Sequence, residues 1–329
     1  MIANRTNVVV GIIYNSKKNS ILLCLRRTGA RQEGRWEFPG GKLDSDETLF
    51  NALRRELYEE LGIHVEAAHP LVQFDHDYPD ISIRLHAWVV DHWSGKPYGM
   101  EDQITEWVPI ADIDNRQFPE ANARILRSIK LPTVYLVTPD LELYDDRFLQ
   151  LMETMMAKGL GLLQFRSRRT EFDQHKSLVS ELVQMCDRGA CRLIYNGTAE
   201  QALAVEAHGV HLRSLDLMQL RERPLPETCL VAASCHDRQE IVHAASMGVD
   251  FCVIAPVHQT SSHPESQGIG WKLFSHLAEM AEIPVYALGG IKPDELSVAN
   301  KNGAHGIAMI SGVWGAPEPA EIIARLNHH

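Results

Sequence analysis

Three glutamates, Glu56, Glu59 and Glu60, fall close together in RRELYEELGI, and Glu60 is oddly placed for a surface charge. With about 100° of rotation per residue, a helix here aligns Leu49, Leu53, Leu57 and Leu61 as an apolar stripe, with Glu60 about 20° from Leu49. Glu56 and Glu59 fall just outside that stripe. A buried, unpaired carboxylate is costly, so it should neutralise, find a partner or bind a metal. The i, i+3, i+4 spacing gathers all three carboxylates within a sector of about 100°. Carboxylate oxygens gathered in this way are hard ligands of the kind a divalent metal ion accepts. The competing solution is an ion pair of Glu60 with Arg54 or Arg55, leaving Glu59 as a solvated charge.

Gly62 is a natural left-handed stop for the helix. Before it, NVVVGIIYN and ILLCLRR read as a hairpin around the turn NSKKNS. After it come LVQFDHDY, ISIRLHAWVV, the loop SGKPYGMED, EWVPI and a short closing helix, ANARILRSI. Strands on both sides of one helix predict an α+β fold with a mixed sheet and packed helices. The pattern changes at SIKLPT, residues 128–133, which gives one domain over residues 1–130 and a second over 131–329.

The second domain is regular. Eight apolar runs follow one another, TVYLVT, GLLQFR, RLIYN, GVHLR, LVAASC, FCVIAP, VYALGG and GIAMIS, separated by helix-like stretches such as DDRFLQLMETMMA and WKLFSHLAEMA. Such alternation predicts a parallel sheet, and eight units can close a compact (β/α)8 barrel. Small residues in ALGGI and MISGV fall where these barrels often hold a phosphate, although they could serve only as tight turns.

Composition narrows the partners. The 329 residues are 45% hydrophobic and 23% charged, with a formal charge of −11, distributed as −3 over residues 1–131 and −8 over the rest. Neither half has the basic excess of a protein that grips polymeric nucleic acid. A small phosphorylated molecule remains compatible, because a divalent cation can supply positive charge locally. The six cysteines form no CxxC pair, which suits reduced thiols of a cytosolic protein. No signal-peptide pattern opens the chain and no run approaches the roughly 20 apolar residues that span a bilayer, so a soluble, cytoplasmic protein without membrane partners is expected. Homodimer formation is left open.

Gly41, five residues, Glu47, seven residues and RELYEELGI match the Nudix box at Gly41, Glu47, Arg55, Glu56, Leu57, Glu59, Glu60, Gly62 and Ile63. The segment thus resembles the Nudix hydrolases. The resemblance implies that Glu56, Glu59 and Glu60 face a divalent cation bound to a diphosphate, Mg²⁺ with Mn²⁺ as a substitute. It adds the Gly41 carbonyl and Glu101 of the GMED loop as ligands. Glu56, with Glu101, would activate water, while Arg55 and Glu47 orient the others.

The Arg26–Arg27 pair, GRWEFPGGKLDSDET, DYPDISIRLHAW and FPEAN extend the likeness, from about residue 7 to 130, to the MutT 8-oxo-dGTP diphosphatase family. That resemblance implies hydrolysis of 8-oxo-dGTP to 8-oxo-dGMP and pyrophosphate, a nucleotide-pool sanitation that avoids mutation. Asn122 would read the oxidised purine edge, since an amide offers both a donor and an acceptor. Arg27 would contact the nucleotide, Phe38 and Tyr78 would line the base pocket, and Asp80 would add a polar contact. Ile81 departs from the pattern, which has an arginine there and a tighter grip. Residue by residue, Phe38 and Tyr78 could equally be core and Asn122 a helix N-cap.

Residues 133 to 315 resemble the thiamine phosphate synthase/TenI family through QFRSR, LIYNGTAEQALAVEAHGVHLRSLDL, APVHQTSSHPESQGIGW, IPVYALGGIKPDEL and GAHGIAMISGVW. The resemblance implies a phosphorylated ligand held by Gln164, Arg166, Asn196, Asp216, Thr260, His263, Gly289, Gly290 and Ser311. Departures fall where synthase chemistry needs charge. Asn196-Gly197 replaces Asn-Asp, His263 replaces a lysine, and Arg213-Ser214 replaces Gly-Gln before Asp216. Losing one metal carboxylate and one fixed cation weakens the grip on a pyrophosphate. His258 and His263 are the titratable groups of that loop. Alternatives are Nudix chemistry on a thiamine-type diphosphate, or a barrel that serves as a regulatory or assembly module.

Overall fold

The computed structural model describes residues 5–27, 29, 32–100, 103–140, 145–259 and 267–327. The chain divides into two compact units, Met1–Lys130 and Leu131–His329.

The first unit contains β1 (Thr6–Ile13), β2 (Ser20–Leu25), β3 (Trp36–Glu37), β4 (Gly40–Lys42), α1 (Leu49–Leu61), β5 (His64–Asp77), β6 (Ser82–Ser94), β7 (Thr105–Pro109) and α2 (Asn122–Ile129). One sheet runs β4-β1-β6-β5, with β1 antiparallel to β4 and parallel to β6; a second runs β3-β2-β7. Alternation along β1 sorts its side chains to two faces. Val9 and Ile13 pack with Leu53, Leu57 and Leu61 of α1. Val10 and Ile12 pack with Phe74, Leu85 and Ile125, the last from α2. Gly11 lets helix and sheet meet closely: a Cβ there would lie 2.8 Å from Leu57 Cδ1.

The expected first hairpin is only half formed. Tyr14 and Ile21 make an isolated antiparallel bridge, but β1 and β2 belong to different sheets. The reason is partner choice. β1 is paired along its whole length with β6, while β2 pairs with β7 from Ser20 to Cys24.

The second unit is a closed eight-stranded parallel barrel. Its strands are β8 (Val134–Val137), β9 (Leu162–Phe165), β10 (Arg192–Asn196), β11 (Gly209–Leu212), β12 (Leu230–Cys235), β13 (Phe251–Ile254), β14 (Val285–Ala287) and β15 (Gly306–Met309). Every one lies within one of the eight apolar runs. The intervening helices are α3 (Asp146–Ala157), α4 (Phe172–Arg188), α5 (Ala199–Ala204), α6 (Ser214–Leu217), α7 (Arg238–Ser246), α8 (Gly270–Glu279), α9 (Leu296–Lys301), α10 (Ser311–Trp314) and α11 (Pro319–Asn327). Tyr135, Leu162, Ile194, Phe251 and Tyr286 fill one buried cluster of the barrel. A polar chain runs beside it. Gln164 Nε2 donates to the Tyr135 hydroxyl at 2.9 Å, that hydroxyl meets His211 Nδ1 at 3.1 Å, and His211 Nε2 meets Ser234 Oγ at 2.9 Å.

Candidate functional site

α1 is set by local signals. The Thr48 hydroxyl caps it by accepting from the Asn51 N–H at 3.2 Å, and Gly62, at φ 67°, closes it with its N–H on the Tyr58 carbonyl. Between these ends Arg55 gathers the acidic groups. Its Nε and Nη2 fork onto Glu47 Oε1 and Oε2 at 3.2 and 2.9 Å. Its Nη1 donates to Glu56 at 2.8 Å and to Glu59 at 3.3 Å, and Nη2 also reaches the Lys42 carbonyl at 3.0 Å. The hydrogen bonds from Arg55 hold Glu47 below the usual carboxylate range, and Glu47 in return keeps the guanidinium charged.

Glu60 has a different partner. Its Oε2 accepts the Gly40 N–H at 2.9 Å. Arg55 is committed to Glu47, Glu56 and Glu59, and Arg54 lies over the Phe50 ring, 6.0 Å from its centroid. The ion-pair solution for Glu60 is therefore replaced by a backbone bond. Burial pushes the Glu60 carboxyl up to about 7; the Gly40 N–H opposes that, Glu37 and Glu56 raise it further, and Arg27 lowers it. Glu56 lies against Gly41: a Cβ there would sit 2.4 Å from the Glu56 carboxyl group, so the side chain would have to move away from the strand. The sequence reading missed Glu37, which burial also raises despite its pairing with Arg26. A lone acid between Trp36 and Phe38 was the available signal. Glu101 lies outside the described residues.

On the opposite face of the sheet, Phe38 is buried and stacks on Phe118 at 5.9 Å between centroids. Tyr78 packs against the same cluster, which includes Phe74, Ala121 and Ile125. Asn122 is 6% exposed and begins α2 as its first helical residue; the cap position is Ala121, and no side-chain capping bond is made. The N-cap alternative for Asn122 is thereby corrected. Arg27 is exposed and donates from Nη2 to the Met100 carbonyl at 3.0 Å. Asp80 is exposed in the turn closed by the Tyr78 N–H on the Ile81 carbonyl at 2.9 Å.

In the barrel, Gln164 lies in β9, Arg166 just beyond it, and Asn196 at the end of β10. Asp216 lies on α6, Gly289–Gly290 beyond β14, and Ser311 at the start of α10. All are at or near the C-terminal ends of strands, the end where barrels of this kind carry their sites. Asn196 Nδ2 donates to the His211 carbonyl at 3.4 Å. Asp216 is engaged on both oxygens by Arg213, at 2.7 and 3.1 Å. His258 Nε2 meets Glu295 Oε1 at 2.8 Å. Thr260 and His263 lie outside the described residues.

Family models match both units: NUDIX domain at residues 4–129 and thiamine monophosphate synthase at residues 134–313. The 8-oxo-dGTP diphosphatase of Escherichia coli is 35% identical over 126 residues, covering 38% of this chain and 97% of that protein. This chain is a Nudix hydrolase fused to a thiamine monophosphate synthase family barrel. A thiamine-phosphate synthase of Methylobacillus flagellatus is 31% identical over 195 residues, covering 58% of this chain and 90% of that protein. The solved thiamine phosphate pyrophosphorylase of Pyrococcus furiosus shares the barrel fold, with a TM-score of 0.50 at 24% identity over 59% of this chain and 93% of that one.

Among the described residues, the Nudix unit offers no closed set of three acidic, histidine or cysteine ligands. Mg²⁺ does not need one, because it binds through one or two carboxylates plus substrate phosphates and water. The donor set fits such an ion. Glu60 and Glu37 are half-buried acids whose charges oppose one another, and Glu56 adds a third nearby charge. No helix among the described residues is long and apolar enough to cross a membrane.

Proposed function

We propose that the Nudix unit hydrolyses 8-oxo-dGTP to 8-oxo-dGMP and pyrophosphate with Mg²⁺ as the required ion. The observation that carries the reading is the convergence of Glu56 and Glu60 on the Gly40–Gly41 strand, Glu60 accepting the Gly40 N–H and the Glu56 carboxyl lying against Gly41 where a Cβ would come within 2.4 Å. A divalent cation bound there would neutralise phosphoryl charge and favour ionisation of the attacking water. Glu56 holds that water and takes its proton. Glu59 and Glu60 complete the acidic face with the Gly41 carbonyl, and Glu101 would join them from its loop. Arg55 fixes Glu56 and Glu47 in place. Water adds at a phosphorus and the phosphoanhydride bond breaks, leaving nucleoside monophosphate and pyrophosphate.

Base selection falls to the pocket around Phe38, Tyr78 and Asn122, with Arg27 and Asp80 at more exposed positions. The barrel, in this reading, holds a phosphorylated ligand at the C-terminal ends of its strands, near Arg166, Asn196, Gly289, Gly290 and Ser311 with Gln164 buried beneath, and Thr260 and His263 remain candidates from the sequence. Asp216 is tied to Arg213 and Gly197 carries no carboxylate, which favours ligand binding over synthase catalysis. The experiment is pyrophosphate release across a nucleotide panel that includes dGTP, 8-oxo-dGTP and thiamine diphosphate, with Mg²⁺ or with a chelator. Preference for 8-oxo-dGTP that vanishes with chelator supports the reading, and preference for thiamine diphosphate replaces it with the other substrate class.

A further inference from the structure

His76 Nε2 is buried and has no hydrogen-bond partner among the described residues. Its place in the fold is defined by strand alternation. β5 pairs with β6 in unbroken register from Val72 to Asp77, so Phe74 and His76 project to one face, and Tyr78 just beyond the strand packs against the same cluster as Phe74. On the other face Asp75 pairs with Arg84 and Arg5, and Asp77 with Arg5. The His76 face is that of Phe38, Phe74 and Ile125, the side covered by α2. The His76 ring meets Tyr78 edge-on at 4.4 Å between centroids, and Arg124 of α2 lies 5.5 Å from the Phe74 ring centroid.

A buried polar atom left without a partner is expensive, and a ligand that supplies the partner recovers the loss. We propose that His76 recognises the nucleobase, its Nε2 hydrogen-bonding a polar edge of a bound purine on the same face as Asn122. This rests on the nucleotide reading of the Nudix unit. An imidazole nitrogen serves as donor or acceptor according to tautomer, and an oxidised purine offers carbonyl oxygens and a ring N–H, so either tautomer finds a match. Ile81 cannot make such a bond, and Arg27 and Asp80 are exposed, so His76 adds to Asn122 a second polar group at a buried position on this face. The structural alternative, a histidine that merely fills the gap beside Tyr78, needs the ring and not its nitrogen.

Two substitutions in the full chain separate these roles. His76→Phe keeps an aromatic ring against Tyr78 and deletes the nitrogen, whereas His76→Gln returns a polar group at similar reach. With 8-oxo-dGTP, His76→Phe should raise KM about tenfold with kcat within about twofold, and His76→Gln should restore much of the loss. In the wild-type chain, the His76 ring nitrogen shift should move when 8-oxo-dGMP is added; this measurement needs no variant. An unchanged KM in His76→Phe, or an unmoved nitrogen shift under saturating 8-oxo-dGMP, overturns the proposal while leaving the nucleotide reading intact. A wild-type chain that releases pyrophosphate from no purine triphosphate overturns both.

Discussion

Arg55 grips both oxygens of Glu47 and, from its other edge, one oxygen of Glu56. A single guanidinium thus links the loop before α1 to the helix face that carries Glu56. Planar, two-point geometry of this kind is not reproduced by an ammonium group. Arg55→Lys should keep the charge and lose the fork, letting Glu56 drift. Steady-state kinetics should show kcat down by about 10²-fold, the scale of loss from a small misplacement of a reacting group. Near-wild-type turnover would mean that Glu56 is positioned by something else.

Glu60 sets a pH dependence of stability in the ion-free chain. Its carboxyl is raised by burial from an ordinary 4.5 to about 7. Between those values the folded state holds a proton that the unfolded state has released, so stability falls as pH rises through the window and levels off above about 7. Glu60→Gln should remove that slope. Denaturant titration with chelator at pH 5 and pH 7.5, followed by amide exchange in α1, should show the variant gaining relative to wild type at the higher pH. Equal differences at both pH values would contradict the assignment.

Substitution of Asn122 would separate base recognition from hydrolysis under the proposed reading. It is buried at the start of α2, and its side chain is not used as a cap. Ordinary guanine presents an acceptor at N7 where the oxidised base presents N–H, so a matched amide can reject dGTP. Asn122→Ala should cut the ratio of kcat/KM for 8-oxo-dGTP over dGTP roughly tenfold while leaving hydrolysis in place. A ratio that stays constant would move recognition elsewhere in the pocket.

What was legible in the sequence was local or periodic. The REL-Y-EEL segment is one helix, and its spacing alone placed Glu60 among the leucines, where the structure finds it beside Gly40. The eight barrel strands were legible because each apolar run had to be buried on both faces. Partnership across distance was not. Glu60 is bonded 20 positions away, a link no spacing rule contains. β5 runs well beyond LVQFDHDY, because register shifts between Val65 and Val72 absorb Pro70 and break the alternation that marks a strand. Nothing in the sequence distinguishes His76 from its charged neighbours; strand pairing with β6 and the Asp75–Arg84 ion pair show which face it turns to.

The barrel's polar chain predicts a cost that is independent of any ligand. The Tyr135 hydroxyl accepts from Gln164 and meets His211 Nδ1, and all three residues are buried. Tyr135→Phe removes the shared partner and leaves two buried polar groups unmatched, which should destabilise the barrel by about 1–3 kcal/mol. Burial lowers His211 from an ordinary 6.5 to about 3, so it is neutral in the fold. Between those values the unfolded chain takes up a proton that the folded one refuses, so this contribution is complete above about 6.5 and declines as pH falls toward 3. Urea unfolding of the full chain, followed by amide exchange in β8, β9 and β11, should therefore show the Tyr135→Phe loss at pH 7.5 and a further fall at pH 5 in both proteins. A variant that unfolds at the wild-type urea concentration at pH 7.5 would show that the chain of bonds adds nothing to the barrel.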